Sequence, residues 1–190
     1  MLTVARSELI LGGQKSGKSR RAELLARAWL ESSSVHSAIL IATGQPWDDE
    51  MRERIRRHRI DRAERVPGLQ TIEEPLRLAE MLEQHSRSDT LLVIDCLTLW
   101  LTNLMMPAVG EGLQGDALES QIVKLTQSIV ISPGPVVLVG NEIGLGVIPL
   151  GREVRAFVDA LGRLNQAVAA ACSRATLMAA GLPLILKDEA

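Results

Sequence analysis

A glycine-rich loop that ends in lysine and serine is the first group of residues whose types and spacing could do chemistry. Its residues follow the pattern G-x-x-x-x-G-K-S and are Gly12, Gly13, Gln14, Lys15, Ser16, Gly17, Lys18 and Ser19. Glycines let successive backbone N–H groups point at one anion, and a helix that follows adds the positive end of its dipole. Lys18 would bring a charge to the β- and γ-phosphates of a nucleotide, and the Ser19 hydroxyl would bind Mg²⁺. We therefore predict a nucleoside-triphosphate site rather than an ordinary glycine-rich turn.

The carboxylate of Asp95 could complete this site, because it ends the apolar run 91–94. An acid at the end of such a strand is the Walker-B position of P-loop enzymes, where it holds Mg²⁺ directly or through water. The alternative is a helix N-cap for the segment that begins at Cys96, since aspartate is a favoured cap. The two roles do not exclude each other, and the loop upstream favours a metal or nucleotide role.

A histidine among arginines is the third candidate for chemistry. A stripe at a spacing of about four residues runs along segment 47–62 and consists of Trp47, Met51, Ile55, His58 and Arg62. On a helix this stripe places His58 on or beside the face that is turned toward the protein. Flanking Arg57 and Arg59 favour the neutral, nucleophilic imidazole, and such arginines could hold a polyphosphate. A solvated, salt-bridged helix and a small RNA-contacting patch remain alternatives.

The elements that must position these residues alternate along the chain. Apolar runs at 8–11, 38–42, 69–72, 90–95, 135–140, 175–179 and 184–186 predict strands, with helical sequence at 20–31, 48–65 and 76–85 and after the later strands. Strands that are apolar on both faces and separated by helices predict an α/β fold, a mostly parallel sheet with helices on both faces. Ligands collect at the carboxyl ends of such strands. The glycine-dotted segment 107–115 predicts a mobile loop or lid.

The composition excludes several classes of function. The chain has 190 residues, 46% of them hydrophobic, which fits a single domain spanning residues 1–190. A net charge of −2 and four aromatic residues argue against nucleic-acid binding. No apolar run approaches the ~20 residues that a membrane span needs. Cys96 and Cys172 are far apart, which predicts reduced thiols, and we expect a cytoplasmic protein.

Six motifs occur in order along the chain. They are Gly12 to Arg20, Ile41-Ala42-Thr43, Asp49-Glu50-Met51 with Arg54-Ile55-x-x-His58-Arg59-x-x-Arg62, Asp95-Cys96-Leu97-Thr98 with Thr102-Asn103-Leu104, Asn141-Glu142-Ile143-Gly144-x-Gly146-Val147-Ile148-Pro149, and Gly162-Arg163-x-Asn165-Gln166. This series resembles the bifunctional adenosylcobinamide kinase/adenosylcobinamide-phosphate guanylyltransferase family of cobalamin assembly. The resemblance runs from Leu9 to Lys187, and its specificity lies in the histidine helix and the segment that begins at Asn141.

The resemblance implies a two-step enzyme. ATP or GTP would phosphorylate the aminopropanol hydroxyl of adenosylcobinamide, and GMP from GTP would then pass through a covalent histidine to the phosphate, giving adenosylcobinamide-GDP and pyrophosphate. It places the catalytic roles on His58 and Lys18, and Mg²⁺ on Ser19 and Asp95. Nucleotide contacts carry over to residues 12–19, Ala42, Thr43, Gly44, Arg59, Ile60, Asp61, Arg62, Glu73 and Asp95. Relatives of this kind have a P-loop domain like the RecA core and look like trimers whose active sites lie between subunits.

Two departures from the family pattern bear on these assignments. Arg57 stands where a second histidine is common, which leaves His58 as the less ambiguous carrier. The stretch 62–73 is slightly long, so Glu74 could serve in place of Glu73.

Other functions remain open at this point. They are a plain P-loop small-molecule kinase, a RecA-like ATP-dependent nucleic-acid module and a nucleotide-binding scaffold without chemistry. The sequence does not distinguish ATP from GTP as phosphoryl donor, nor one nucleotide site from two. Segments 100–115 and 141–149 are candidate walls of the corrinoid pocket.

Overall fold

The computed structural model describes residues 2–46 and 49–189, apart from the side chains of Glu50, Met51, Arg54, Ile55 and His58. Within these ranges seven strands form one sheet: β1 (Ser7–Gly12), β2 (Ser37–Ala42), β3 (Leu69–Glu73), β4 (Thr90–Asp95), β5 (Val136–Val139), β6 (Arg174–Ala179) and β7 (Leu182–Asp188). The described residues also form the helices α1 (Lys18–Ser32), α2 (Asp49–Arg65), α3 (Leu78–His85), α4 (Leu97–Met105), α5 (Gly115–Ile131) and α6 (Arg152–Ala171).

The order of the strands across the sheet is β3-β2-β4-β5-β1-β6-β7. All neighbouring pairs are parallel except β6 and β7, which are antiparallel. The carboxyl ends of the parallel strands therefore meet at one edge. Strand β5 lies between β1, which leads into the glycine-rich loop, and β4, which ends at Asp95. This order is typical of RecA-like P-loop domains and confirms the predicted fold class.

Two hydrophobic cores cover the two faces of the sheet. Alternate residues of each strand point to opposite faces, so Leu9 and Leu11 enter one core while Ile10 enters the other. The larger core packs α3, α4, α5 and α6 against one face, and the smaller core packs α1 against the other. Burial on both faces explains why β1, β4 and β5 are apolar without alternation.

Several element boundaries differ from the predicted ones. Helix α3 begins at Leu78 rather than Leu76, because the Glu74 carboxylate accepts hydrogen bonds from the backbone N–H groups of Leu76 and Arg77 at 3.0 Å each. Strand β3 continues to Glu73, and the two final strands are longer than expected. Residues 107–114 lie outside helices and strands, and their role as a lid stays a prediction.

A buried ion pair ties the helix after the glycine-rich loop to the sheet. Glu8 of β1 is fully buried, and its Oε1 accepts hydrogen bonds from Arg21 Nε at 2.9 Å and Thr176 Oγ1 at 2.8 Å. Arg174 of β6 approaches the other carboxylate oxygen at 3.9 Å. One carboxylate thus contacts α1, β1 and β6. Removing its charge would leave the nearly buried Arg21 guanidinium without its counter-ion, while Arg174 would keep its pair with Asp188 at 3.1 Å.

We expect Glu8→Gln to lower the free energy of unfolding by about 3–5 kcal/mol, because it leaves Arg21 buried without a compensating charge. Urea denaturation monitored by circular dichroism measures this change. The control is Glu31→Gln, which removes the same charge from an exposed pair with Arg27 and should leave the midpoint unchanged. Equal midpoints for the two variants would contradict a stabilising role for the buried pair.

Candidate active site

The glycine-rich loop curls at the carboxyl end of β1. Gly12 has φ +150°, and a Cβ atom there would lie 2.4 Å from the carbonyl oxygen of Met178 and 2.6 Å from Ser16 Oγ. Gly17 adopts φ +100° at the N-cap of α1, a left-handed conformation that glycine adopts without strain. The β6–β7 turn contacts the loop, since Gly181 donates its N–H to the carbonyl of Ser16 at 3.0 Å. The loop conformation therefore depends on two glycines and on a neighbouring strand pair.

Lys18 folds back into this loop. Its side chain is nearly buried, and Nζ donates a hydrogen bond to the carbonyl of Gly13 at 2.6 Å. Burial lowers the pKa of the Lys18 amine from its usual value, while the neighbouring Cys96 and Asp95 oppose that shift. The chain thus brings Lys18 and Asp95 into electrostatic contact, although they are distant in sequence. A polyphosphate in the loop would offer Lys18 the oxygen acceptors that Gly13 now supplies.

Asp95 lies at the end of β4, opposite Ala42 of β2 and Val139 of β5. Cys96, the residue after Asp95, is held by the fully buried Thr43. The Thr43 hydroxyl donates to the Cys96 carbonyl at 2.7 Å and accepts from the Cys96 N–H at 2.8 Å. The Asp95–Cys96 peptide is cis. Cys96, not Asp95, occupies the N-cap position of α4, so the alternative in which Asp95 caps that helix is wrong.

Asn103 and Asn165 are two polar residues of this edge to which the sequence analysis assigned no role. Asn103 Nδ2 donates to the carbonyl of Thr43 at 2.8 Å, and Asn165 Nδ2 donates to that of Asn141 at 3.1 Å. Both side chains are buried; Asn103 fixes the loop after β2, and Asn165 fixes the loop after β5. Their position could have been noticed in the sequence, because each asparagine lies on the apolar face of a helix, and a buried amide needs hydrogen-bond partners.

Helix α2 meets the same edge of the sheet through Arg59. Its NH1 lies 3.3 Å from Glu73 Oε1 at the end of β3, and both side chains are exposed. Both carboxylate oxygens of the neighbouring Glu74 are engaged instead by Leu76 and Arg77. Although burial opposes the shift, these hydrogen bonds lower the pKa of the Glu74 carboxyl. Of the two acids, only Glu73 presents its carboxylate to the solvent beside α2.

The rest of α2 packs against the first helix. The nearly buried Arg62 lies 3.9 Å from the Glu23 carboxylate, and Arg65 donates to that carboxylate at 2.8 Å. The burial of Arg62 agrees with the predicted stripe, while Trp47 and the side chains of Met51, Ile55 and His58 lie outside the described residues. The backbone of His58 lies within α2, next to Arg59.

The remaining residues predicted to contact nucleotide differ in exposure. Ala42 and Gly44 are half-buried at the end of β2, Ile60 is exposed, and Asp61 pairs with Arg65 at 3.0 Å. Thr43 and Arg62 are occupied by contacts within the chain, so a nucleotide would meet their backbone or require them to exchange partners. No observation tests these assignments, and they stay predictions.

The described residues include no cluster of three His, Cys, Asp or Glu side chains that could hold a metal ion. A Mg²⁺ ion that is bound with nucleotide needs only one or two protein ligands, because phosphate oxygens and water fill the other positions. Ser19 in the first turn of α1 and Asp95, which acts electrostatically on the adjoining Lys18, fit such a site. No helix among the described residues is long and apolar enough to cross a membrane.

This combination of sheet order, phosphate loop, buried lysine and strand-end aspartate defines a P-loop nucleotide-binding protein of the RecA-like type. Solved structures support the fold alone. The flagellar accessory protein FlaH from Methanocaldococcus jannaschii superposes with a TM-score of 0.54 at 13% identity, over 98% of this chain and 80% of that one. A protein from Pyrococcus horikoshii superposes with a TM-score of 0.56 at 10% identity, over 98% of this chain and 88% of that one.

Comparisons of sequence are more specific. The model of the cobinamide kinase / cobinamide phosphate guanyltransferase family matches residues 8–186. The bifunctional adenosylcobalamin biosynthesis protein CobP of Pseudomonas aeruginosa is 44% identical over 96% of this chain and 98% of its own length. The bifunctional adenosylcobalamin biosynthesis protein CobU of Escherichia coli is 36% identical over 94% of this chain and 98% of its own length.

The chain belongs to the cobinamide kinase / cobinamide phosphate guanyltransferase family. It is therefore a bifunctional enzyme of adenosylcobalamin biosynthesis, as the motif series predicts. The single-activity kinase, the nucleic-acid module and the scaffold without chemistry do not agree with this membership.

Gly12→Ala should disturb the loop even without nucleotide. The added Cβ would overlap the Met178 carbonyl at a φ of +150°, so we expect the free energy of unfolding to fall by about 2 kcal/mol. Thermal unfolding without nucleotide measures the loss, and the rise in Tm that GTP produces should also disappear. Gly13→Ala is the control, because nothing lies within 4 Å of a Cβ there. Equal Tm values for the two variants without nucleotide would contradict the steric argument.

Proposed function

We propose that the enzyme transfers GMP through a covalent guanylyl-histidine at His58, after phosphorylating adenosylcobinamide at the P-loop. The observation that carries this proposal is the contact of Arg59 with Glu73, 3.3 Å apart, which brings the histidine helix to the carboxyl edge of the sheet. Ligands of parallel α/β sheets bind at that edge. The P-loop, Asp95 and α2 thus share one edge of the molecule.

The kinase step uses the residues around β1. The loop backbone of residues 12–19 and the Lys18 amine hold the β- and γ-phosphates of ATP or GTP. Ser19 and Asp95 would hold Mg²⁺, which would neutralise charge on the phosphates. The buried position of Lys18 favours this role, since an amine that is already desolvated binds an anion in a medium of low dielectric.

The guanylyl step uses α2 and the end of β3. An imidazole nitrogen of His58 attacks the α-phosphorus of GTP, the bond to the β-phosphate oxygen breaks, and pyrophosphate leaves. The phosphate of adenosylcobinamide phosphate then attacks the same phosphorus and releases the histidine. Arg59, Ile60, Asp61 and Arg62 follow the histidine along the helix and form, with Glu73, the nucleotide contacts of this step. Glu73 is preferred over Glu74, whose carboxylate already accepts the N–H groups of Leu76 and Arg77 just before α3.

Intact mass after incubation with GTP and Mg²⁺ tests the histidine intermediate. We expect an acid-labile, GMP-sized adduct on the native chain and none on His58→Ala. His36→Ala is the matched control and should keep the adduct, because that ring stacks on Trp29 at 3.7 Å, near the start of β2. An adduct on His58→Ala would refute His58 as the carrier. So would a native chain that binds GTP but stays unmodified, and a direct guanylyl transfer without a covalent carrier would then be the better account.

We further propose that the enzyme is a homo-oligomer, with the trimer of the resembling family as the expected form. Four strand steps separate β3 from β1, so the sheet places Glu73 about 19 Å from the P-loop of its own chain. A site between subunits would shorten that distance. The edge strand β7 offers a surface for such an assembly, since Leu182, Leu184, Ile185 and Leu186 are all exposed. Apolar edge strands are normally covered, because they otherwise promote aggregation.

The double variant Leu184→Lys/Leu186→Lys should reduce the molar mass in solution, because two charges on β7 oppose the burial of that strand. Size-exclusion chromatography with light scattering measures the mass. Val130→Lys, at an exposed apolar position of α5, should leave it unchanged. A native monomer, or an unchanged oligomer in the double variant, would contradict the proposal.

A further inference from the structure

A groove of about 440 Å³ lies beside the P-loop, on the side of the β6–β7 turn. One wall is the loop segment 13–16, and the opposite wall is residues 177–180. Glu142 and Leu145, which follow β5, complete the lining. Glu142 is the one carboxylate among these lining residues, so the groove combines a phosphate-binding wall with a single proton acceptor.

The backbone fixes Glu142 next to the loop. Its N–H donates to the carbonyl of Gly12 at 3.1 Å, and the N–H of Gly140 donates to that of Ile10 at 2.9 Å. Among the groups that the structure describes, the Glu142 side chain has one hydrogen-bond partner: its Oε1 accepts the N–H of Gly144 at 2.8 Å. The other oxygen, Oε2, is therefore available to a molecule in the groove.

Strand order determines which groups lie beside the end of β5, from which Glu142 follows. Strand β5 lies between β1 and β4, so its carboxyl end is flanked by the P-loop on one side and by Asp95 on the other. The phosphoryl group in transfer occupies this interval in P-loop enzymes. Lys18 and Asp95 are assigned to the phosphates and the metal. The proton of the attacking hydroxyl still needs an acceptor, and Glu142, which follows β5 and whose N–H binds the carbonyl of Gly12, is a carboxylate beside this interval.

We propose that Glu142 is the general base of the kinase step and that this groove admits the hydroxyl-bearing arm of the corrinoid acceptor. This inference rests on the proposed function and deepens it. The acceptor hydroxyl oxygen forms a bond to the γ-phosphorus, and the bond to the β–γ bridging oxygen breaks. The electron pair of the broken bond leaves with the nucleoside diphosphate. The hydroxyl proton passes to Glu142 and then to solvent.

An apolar surface adjoins the groove and suits the macrocycle behind that arm. Leu145 is 82% exposed although it lines the groove, and the next residues Val147, Ile148 and Leu150 are 97%, 77% and 97% exposed. A corrin ring carries many methyl groups around its rim, so it would bury such side chains. Because the surface continues directly from Glu142, a bound ring would place its side arm in the groove.

Glu142→Gln tests the base, because the amide keeps the size of the side chain but accepts no proton at neutral pH. We expect kcat for phosphorylation of adenosylcobinamide to fall by about 10²–10⁴-fold, with the KM for ATP or GTP unchanged. Guanylylation of adenosylcobinamide phosphate supplied ready-made should be retained. Glu153→Gln, at an exposed acid in the first turn of α6, is the matched control for the loss of one charge.

Leu145→Asp tests the groove separately. It should raise the KM for adenosylcobinamide at least tenfold, because it places a charge on the apolar wall, whereas the isosteric but uncharged Leu145→Asn should raise that KM less and leave nucleotide affinity unchanged.

Two results would overturn the inference: an equal loss of both activities in Glu142→Gln, which indicates a structural role, or no loss of kinase activity. Failure of the proposed function would give a different result. The native chain would then show no guanylyl adduct, but its kinase activity could still be compared with that of Glu142→Gln.

Discussion

Parallel pairing of β1 with both β5 and β6 is the constraint on which the site depends. Backbone hydrogen bonds to two neighbours hold the end of β1 at the middle of the sheet edge, where the chain must turn at Gly12. A side chain at Gly12 would meet the carbonyl of Met178 on β6, so the tight turn needs glycine as well as the strand pair. The phosphate loop, the buried lysine and the groove beside Glu142 all take their positions from this pairing.

Buried and exposed charged side chains of this protein are paired in different ways. Near the P-loop, the buried Glu8 is matched by Arg21 and by the more distant Arg174, because an unpaired charge inside the protein costs several kcal/mol. The exposed arginines of α2 form local pairs at three or four residues' spacing, such as Arg56 with Glu53. Pairs of that kind contribute little to stability. The exposed pair of Arg59 with Glu73 is similarly weak, so Arg59 can exchange partners at low cost, which suits a residue proposed to contact nucleotide.

Two adjacent glutamates show how tertiary contacts assign roles that a spacing leaves open. Glu74 is buried and accepts hydrogen bonds from the backbone just before α3, so it serves the fold. Glu73, the last residue of β3, is exposed and meets Arg59. A count along segment 62–73 leaves both as candidates, because it does not show which carboxylate lies beside the helix.

The sequence by itself determined the P-loop, the strand-end aspartate, the alternating elements and the family, because each depends on residues close together in the chain. Apolar runs without alternation are enough to predict strands buried on both faces. Only the tertiary structure decided that β5 separates β1 from β4, that Thr43 holds Cys96 and that β7 exposes its leucines. These features depend on contacts between residues far apart in sequence. The free energy of such contacts comes from packing and hydrogen bonding that local pattern does not encode.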